Sequence, residues 1–240
     1  MNIIVCKDYP EMSQKAAAMA AESITGAEEQ LISFPGGDTP LGMVEAFVSM
    51  VNDRAVDISR TRYVQLDEWA GLGEEDKGSC AQFNRVNLLD KLRYPFLEFF
   101  LINGLAGNIQ EECVRLNGFI ERYGPLSLSV LGIGLNGHLG FNEDGVDFDN
   151  NTHIINLSAT TKKIMGKYFD RDRHLEFGIT QGIKQIMTAK KVILIANGAH
   201  KAPIIKKALT GPVTNAVPAS ILQRHSNCFV IIDAAAAQEL

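Results

Sequence analysis

The sequence has 240 residues, of which 46% are hydrophobic, 23 are basic and 28 are acidic, for a formal net charge of −5. A chain of this length and composition can build a substantial core, as one large α/β domain or two small ones. Because no segment has the composition of an interdomain linker, we expect one domain over residues 1–240. The mild acidity and the lack of a basic face argue against binding to nucleic acid. No apolar run approaches the roughly 18 residues that a membrane-spanning helix requires.

The cysteines at positions 6, 80, 113 and 228 are scattered, with no CxxC pair and no histidine at a metal-ligand spacing. The N-terminus lacks the charged segment and long apolar run of a signal peptide. These features predict reduced cysteines, a cytoplasmic location, and a protein that needs neither a metal nor another cofactor.

Short apolar runs alternate with segments of helical composition along the chain. Strands are predicted over residues 2–6, 30–34, 62–66, 98–102, 128–131, 152–157, 191–196 and 227–232. Helices are predicted over residues 8–24, 108–123 and 158–169, in the later part of 78–92, and after Thr39, Gly198 and Pro218. This alternation predicts a Rossmann-like α/β fold, with an open, mainly parallel sheet covered by helices on both faces.

A glycine turn follows the second predicted strand, at Gly36 and Gly37. Thr39 is predicted to cap the next helix, with Pro40 at its first helical position. Such a turn directs backbone N–H groups and the positive end of the helix dipole at an anion, so it predicts phosphate binding by Gly36, Gly37 and Thr39. The alternative is an ordinary capped turn, and Asp38 would have to point away from a phosphate.

Asp67 and Glu68 directly follow the third predicted strand. In open α/β sheets a ligand lies beyond the carboxyl ends of the strands, which is where these two carboxylates and the Gly36 turn are expected to meet. Asp67 is therefore a candidate site residue, with a helix cap or turn former as the alternative. A structural role is expected for Glu68.

Residues 128–145 begin as a buried strand and continue as a glycine-rich loop that holds Asn136, His138 and Glu143. A carboxylate can fix the tautomer and orientation of an imidazole, as a general base requires. Residues 132–137 also match the GxGxxG pattern of dinucleotide-binding proteins, but the following glycines interrupt the helix which that pattern must open. A purely structural loop is the other alternative.

A later turn at Asn197 and Gly198 leads into a helix that carries Lys201. A lysine at the start of a helix is badly placed for the helix dipole, which makes Lys201 a candidate anion ligand. A solvated surface lysine is the alternative.

Four segments, PGGDTP, LDEW, GIGLNGHLGFNEDG and NGAHKA, together resemble the glucosamine-6-phosphate deaminase/isomerase family in order and spacing over essentially the whole chain. The GGxTP element is also found in the related 6-phosphogluconolactonases, which have the same fold. Trp69, residues 78–80, residues 217–220 and residues 225–227 look closer to the galactosamine-6-phosphate branch than to the glucosamine branch.

The resemblance implies conversion of a 2-amino aldose 6-phosphate into a ketose 6-phosphate and ammonia. It implies that His138 opens the sugar ring, that Glu143 orients His138, and that Asp67 moves the proton between C2 and C1. Asn136, which is Asp in some relatives, would position the amine or His138. The implied phosphate ligands are Gly36, Gly37, Thr39, Lys201 and Lys167, the last standing where the family typically has Arg.

The resemblance further implies a monomer or small homo-oligomer that binds a small sugar phosphate and is not activated by N-acetyl-amino-sugar phosphates. Two other functions fit the same fold. A lactone hydrolase would be expected to have an acidic residue at position 136 and a different segment after His138. A non-catalytic sugar-phosphate sensor would not need Asp67, His138 and Glu143 together.

Overall fold

The protein is described by a computed structural model that covers residues 1–166, 169 and 173–240. The strands are β1 (Asn2–Cys6), β2 (Gln30–Ser33), β3 (Thr61–Val64), β4 (Asp67–Trp69), β5 (Glu98–Phe100), β6 (Leu128–Leu131), β7 (His153–Asn156), β8 (Phe177–Thr180), β9 (Val192–Ala196) and β10 (Cys228–Asp233). The α-helices are α1 (Tyr9–Glu22), α2 (Asp38–Asn52), α3 (Cys80–Asn87), α4 (Ile109–Tyr123), α5 (Ala159–Met165), α6 (Ile183–Met187) and α7 (Ala202–Thr210). Short 3-10 helices lie at Leu89–Lys91, Ala199–Lys201 and Pro218–Arg224.

Seven strands form one sheet in the order β1-β10-β9-β6-β2-β3-β5, and every neighbouring pair in it is parallel. The remaining strands form a smaller antiparallel sheet in the order β4-β8-β7. The predicted mainly parallel α/β fold is therefore confirmed.

The large sheet is apolar on both faces because each face is covered by helices. Leu31 packs into a core shared with α4, α6 and α7, whereas its neighbour Ile32 packs into the opposite core with α1 and α2. Strand β9 alternates in the same way, with Val192 in the first core and Ile193 in the second. Burial of each such side chain contributes about 1.5–3 kcal/mol. This explains why the strands are nearly continuous apolar runs rather than alternating ones.

The small sheet was not predicted from the sequence. The strand predicted over residues 62–66 ends at Val64, and after two further residues the chain enters β4, which pairs with β8. Gln65 stabilises this change of sheet, because its side-chain amide donates to the Asp67 carbonyl at 2.7 Å and its side-chain oxygen accepts from the Ile102 amide at 3.0 Å. A strand of three residues is too short to show a period in the sequence.

The predicted helix cap at Thr39 is wrong. Helix α2 begins at Asp38, two residues before the predicted first helical position at Pro40, and its N-cap residue is Gly37, with φ of 106° and no side-chain cap hydrogen bond. Glycine adopts this backbone conformation readily, so the turn closes without a capping hydroxyl. The Thr39 hydroxyl donates instead to Asn197 Oδ1 at 2.8 Å.

Every helix in the described part of the chain is too short or too polar to span a membrane.

Candidate active site

The loops that follow β9, β6, β2 and β3 lie side by side, because these four strands are consecutive and parallel in the large sheet. Hydrogen bonds join the loops to one another. Thr39 after β2 contacts Asn197 after β9, and the Lys201 ammonium donates to the Ile133 carbonyl after β6 at 2.5 Å. The carboxyl edge of the sheet therefore holds the candidate residues, as the parallel topology predicts.

The predicted pair of His138 and Glu143 is formed. His138 Nδ1 lies 3.2 Å from Glu143 Oε2, and the Asn136 amide donates to the same oxygen at 2.7 Å. Glu143 is only 3% exposed, so these contacts act with little competition from water. With Nδ1 facing the carboxylate, Nε2 on the other side of the ring is the nitrogen that can exchange a proton with a ligand.

The second oxygen of Glu143 has partners on another part of the chain. Thr161 donates its hydroxyl to Oε1 at 2.5 Å, and the Ser158 amide approaches the same oxygen at 3.3 Å. Burial of Glu143 opposes ionisation, but the hydrogen bond and the positive charge of His138, together with the hydrogen bonds from Thr161 and Asn136, outweigh burial and lower the pKa of Glu143 to about 2.

This pKa makes the stability of the fold depend on pH. A carboxyl with a native pKa of about 2 and an ordinary value of 4.5 stabilises the fold fully above pH 4.5, and this contribution is lost as the pH falls towards 2. The contribution is on the order of 3 kcal/mol. We expect urea unfolding of Glu143→Gln to show a shallower loss of stability between pH 4.5 and 2 than wild type. Glu45→Gln, on the exposed side of α2, serves as the control and should retain the wild-type slope.

The ring of His138 lies directly against Gly134. A Cβ atom at position 134 would lie 2.4 Å from both Cε1 and Nε2 of the imidazole, far below ordinary van der Waals contact. The Gly134 amide also donates to the His138 carbonyl at 3.0 Å, which closes the loop. Glycine at 134 therefore makes room for the imidazole.

Asp67 is the first residue of β4 and is only 8% exposed. Burial raises its pKa to about 6, although a hydrogen bond from the Cys80 thiol and the charge of His138 act in the opposite direction. Gly140 lies beside the carboxylate, since a Cβ there would be 3.4 Å from Asp67 Oδ2. A buried carboxylate with this pKa has the proton affinity of a general base that works near neutral pH.

The neighbouring carboxylate of Glu68 has a structural environment, as expected. It accepts hydrogen bonds from the amides of Trp69, Cys80 and Ala81 and from the Gln65 side chain, at distances between 2.6 and 3.1 Å. Cys80 and Ala81 are the first residues of α3, so Glu68 stabilises the start of that helix. Glu68 therefore has a structural role, whereas Asp67, one residue away, is the candidate base.

The predicted phosphate residues occupy two neighbouring loops. Gly36 and Gly37 precede α2, and Thr39 in its first turn contacts the loop that leads to Lys201. The Gly198 amide is held by both oxygens of Asp233 at 3.0 Å, which fixes the turn before Lys201. Lys167 lies outside the described residues.

Thr161, Ser158 and Asn197 contact candidate residues but were not predicted. The Ser-x-x-Thr spacing at positions 158 and 161 is typical of a helix start, but nothing in it indicates a contact with Glu143, 18 positions earlier in the chain. Asn197 was predicted only as a turn former.

No helix opens within residues 132–137, which form a loop with a turn at 134–137, so the structural context of a dinucleotide fingerprint is missing there. In the ranges that the structure describes, no group of three or more His, Cys, Asp or Glu side chains is arranged to hold a metal ion.

Comparison with known proteins places these features in one family. The model of the glucosamine-6-phosphate isomerases/6-phosphogluconolactonase family matches residues 8–231. A glucosamine-6-phosphate deaminase from Clostridium botulinum (strain Hall) is 36% identical over 241 residues, covering 100% of this chain and 99% of that protein. The protein of the same name from Clostridium perfringens is also 36% identical, with both chains fully covered.

Solved structures agree with the sequence comparison. The structure of a monomeric glucosamine-6-phosphate deaminase superposes with a TM-score of 0.94 at 30% identity and covers 100% of both chains. A 6-phosphogluconolactonase from Leishmania guyanensis, 17% identical, has the same fold, with a TM-score of 0.77 over 100% of this chain and 98% of that one. On these grounds, the chain belongs to the family of glucosamine-6-phosphate isomerases and 6-phosphogluconolactonases.

Proposed function

We propose that this protein converts a 2-amino-2-deoxyhexose 6-phosphate into a ketohexose 6-phosphate and ammonia. The observation that carries the proposal is a buried carboxylate with raised proton affinity, Asp67, in the same site as a His138–Glu143 pair. Relatives that match over the full chain and are named glucosamine-6-phosphate deaminases support it.

The first step assigned to the site is ring opening. His138 moves a proton from the C1 hydroxyl to the ring oxygen, which breaks the C1–O5 bond and gives the open-chain aldehyde. Glu143 keeps the Nδ1 side of the imidazole engaged, so that Nε2 faces the sugar. Asn136 holds the same carboxylate oxygen and acts as a positioning residue, without a charge of its own.

The second step is proton transfer between adjacent carbons. Asp67 removes the C2 proton while the protonated amine at C2 gives a proton to O1, which forms a neutral enolamine. Return of the proton to C1 then gives an imine at C2. One water molecule adds to this imine and ammonia leaves, so that C2 becomes the ketone. A single carboxylate can reach both carbons, since they are bonded to each other.

The phosphate is assigned to the Gly36, Gly37 and Thr39 turn and to Lys201. Backbone amides at the start of α2 and the positive end of its dipole favour an anion there, and the Thr39–Asn197 hydrogen bond brings the Lys201 loop alongside. Lys167 is proposed as a further cation at the phosphate, where a point charge replaces the bidentate contact of Arg.

The proposal covers residues 1–240 as one domain and includes a cytoplasmic location, for which the four unpaired cysteines are supporting observations. It also includes a monomer or small homo-oligomer, since a structural relative is described as monomeric. Between the two epimeric sugars, we propose galactosamine 6-phosphate as the preferred substrate, based on Trp69 and the other positions that resemble the galactosamine branch.

The test is ammonia release by purified protein from glucosamine 6-phosphate and galactosamine 6-phosphate, with unphosphorylated glucosamine and 6-phosphogluconolactone as comparison substrates. We expect ammonia from both amino-sugar phosphates, faster from the galacto epimer, and little from the unphosphorylated sugar. Faster release from the gluco epimer would retain the reaction and reject the branch assignment. No ammonia from either amino-sugar phosphate would reject the proposed reaction. Hydrolysis of 6-phosphogluconolactone would then support the alternative of a lactone hydrolase.

A further inference from the structure

The two oxygens of the Glu143 carboxylate contact different parts of the chain. Oε2 faces Asn136 and His138, which belong to its own loop. Oε1 faces Thr161 and Ser158, which belong to the start of α5. A carboxylate with partners on both oxygens cannot rotate about its terminal bond without losing hydrogen bonds, so its orientation towards His138 is fixed from outside the loop.

The hydrogen bonds around Thr161 determine which atom receives its hydroxyl proton. Ser158 Oγ donates to Thr161 Oγ1 at 3.1 Å, so the Thr161 hydroxyl directs its own proton to Glu143. Thr161 is 5% exposed, and this chain of donors therefore meets little competition from solvent. Each hydroxyl donates to the next group, from Ser158 to Thr161 to Glu143, and an ionised carboxylate, which can only accept, fits the end of this series.

Helix capping does not account for the Thr161 hydroxyl. The capping contact at the start of α5 is made by the Thr161 backbone amide, which donates to Ser158 Oγ at 3.1 Å. Replacement of the hydroxyl leaves that contact in place. The hydroxyl therefore does not make the capping hydrogen bond of the helix, and it donates to Glu143 instead.

We propose that Thr161 is a positioning residue for the reaction, which sets the Glu143 carboxylate so that Oε2 faces His138 Nδ1. This proposal rests on the proposed function, because it assigns Thr161 to the ring-opening step. The imidazole then presents Nε2 to the sugar in the correct tautomer. Loss of the hydroxyl would leave the substrate contacts intact, but Oε1 would keep only the longer 3.3 Å contact from the Ser158 amide. The carboxylate would then be held less firmly, which would slow the reaction without weakening binding.

The experiment compares four proteins: wild type, Thr161→Val, Thr161→Ser and Thr160→Val. Valine preserves the shape of the side chain and removes the hydroxyl, serine keeps the hydroxyl, and Thr160 is an exposed threonine on the same helix. We expect Thr161→Val to lower kcat about tenfold, with KM changed less than twofold, because a hydrogen bond to a charged group is lost. Thr161→Ser should recover most of kcat, and Thr160→Val should match wild type.

A second readout does not depend on turnover. We expect the proton between His138 Nδ1 and Glu143 to give a downfield ¹H resonance, and His138→Gln should assign it by removing it. Thr161→Val should broaden or shift this resonance, while Thr161→Ser and Thr160→Val should not. Should the valine variant not fold, Thr161→Ala removes the same hydroxyl and gives the same expected results.

Wild-type kcat in Thr161→Val, or an unchanged resonance, would overturn the assignment of Thr161. Failure of the proposed function is a separate result, since it would appear as no ammonia from wild type. In that case the resonance alone decides whether Thr161 orients the pair.

Discussion

Replacement of Asp67 by asparagine is expected to lower kcat for ammonia release about 1,000-fold, because a positioned general base contributes 10²–10⁴ in rate. An amide has nearly the shape of the carboxylate but cannot take the C2 proton. The measurement is steady-state ammonia release at pH 7.5, together with exchange of the C2 proton with solvent deuterium, which reports proton removal directly.

Stability separates this role from a structural one. Burial raises the pKa of Asp67 from 3.8 to about 6, so the native state binds the proton more tightly than the unfolded chain, and stability falls as the pH rises between these values. Removal of the buried charge should therefore leave Tm at neutral pH equal to or above that of wild type. Asp144→Asn, at an exposed position of the His138 loop, is the matched control. Normal turnover in Asp67→Asn would reject Asp67 as the base.

Alanine at position 134 is expected to lower turnover about 100-fold, since a displacement of roughly 1 Å in a catalytic group costs that much. The added methyl group would overlap the imidazole of His138 and push it from the position opposite the sugar. The effect should be seen in kcat for the cyclic substrate.

Gly132→Ala is the control in the same loop, because a Cβ at position 132 has no atom within 4 Å. Neither glycine has a positive φ, so backbone strain does not distinguish the two substitutions. If Gly134→Ala were as active as Gly132→Ala and wild type, the imidazole would have to react equally well from another rotamer.

The main fold could be predicted because hydrophobic runs dominate its strands. The run at Leu128–Leu131 was predicted with the same limits that the structure shows, since a buried parallel strand is nearly all apolar, here with Ser129 as its one polar residue, and glycine follows it directly. The small sheet could not be predicted, because β4 carries Asp67 and Glu68, and the burial of Glu68 depends in part on amides at the start of α3, more than ten positions later in the chain.

The site divides in a similar way. Asn136, His138 and Glu143 lie close in the sequence, so their spacing was enough to predict that they meet. Thr161 approaches Glu143 from a helix that the small sheet positions, and a hydroxyl at a helix start has an ordinary local explanation. Thr39 was predicted to cap a helix because its local sequence is typical of a cap. In the structure its hydroxyl instead contacts Asn197 on a distant loop, which the local sequence does not indicate.

The order of strands in the large sheet has a consequence for how the chain folds. Strand β1 lies at the edge of the sheet, and the strand it pairs with is β10, from the opposite end of the described chain. During synthesis β1 cannot pair with β10 until residues up to Asp233 have left the ribosome. Long-range parallel pairing of this kind slows folding and prolongs the exposure of apolar strands. The sheet that aligns the loops of the site is therefore completed last at its β1 edge, away from the strands that carry His138 and Asp67.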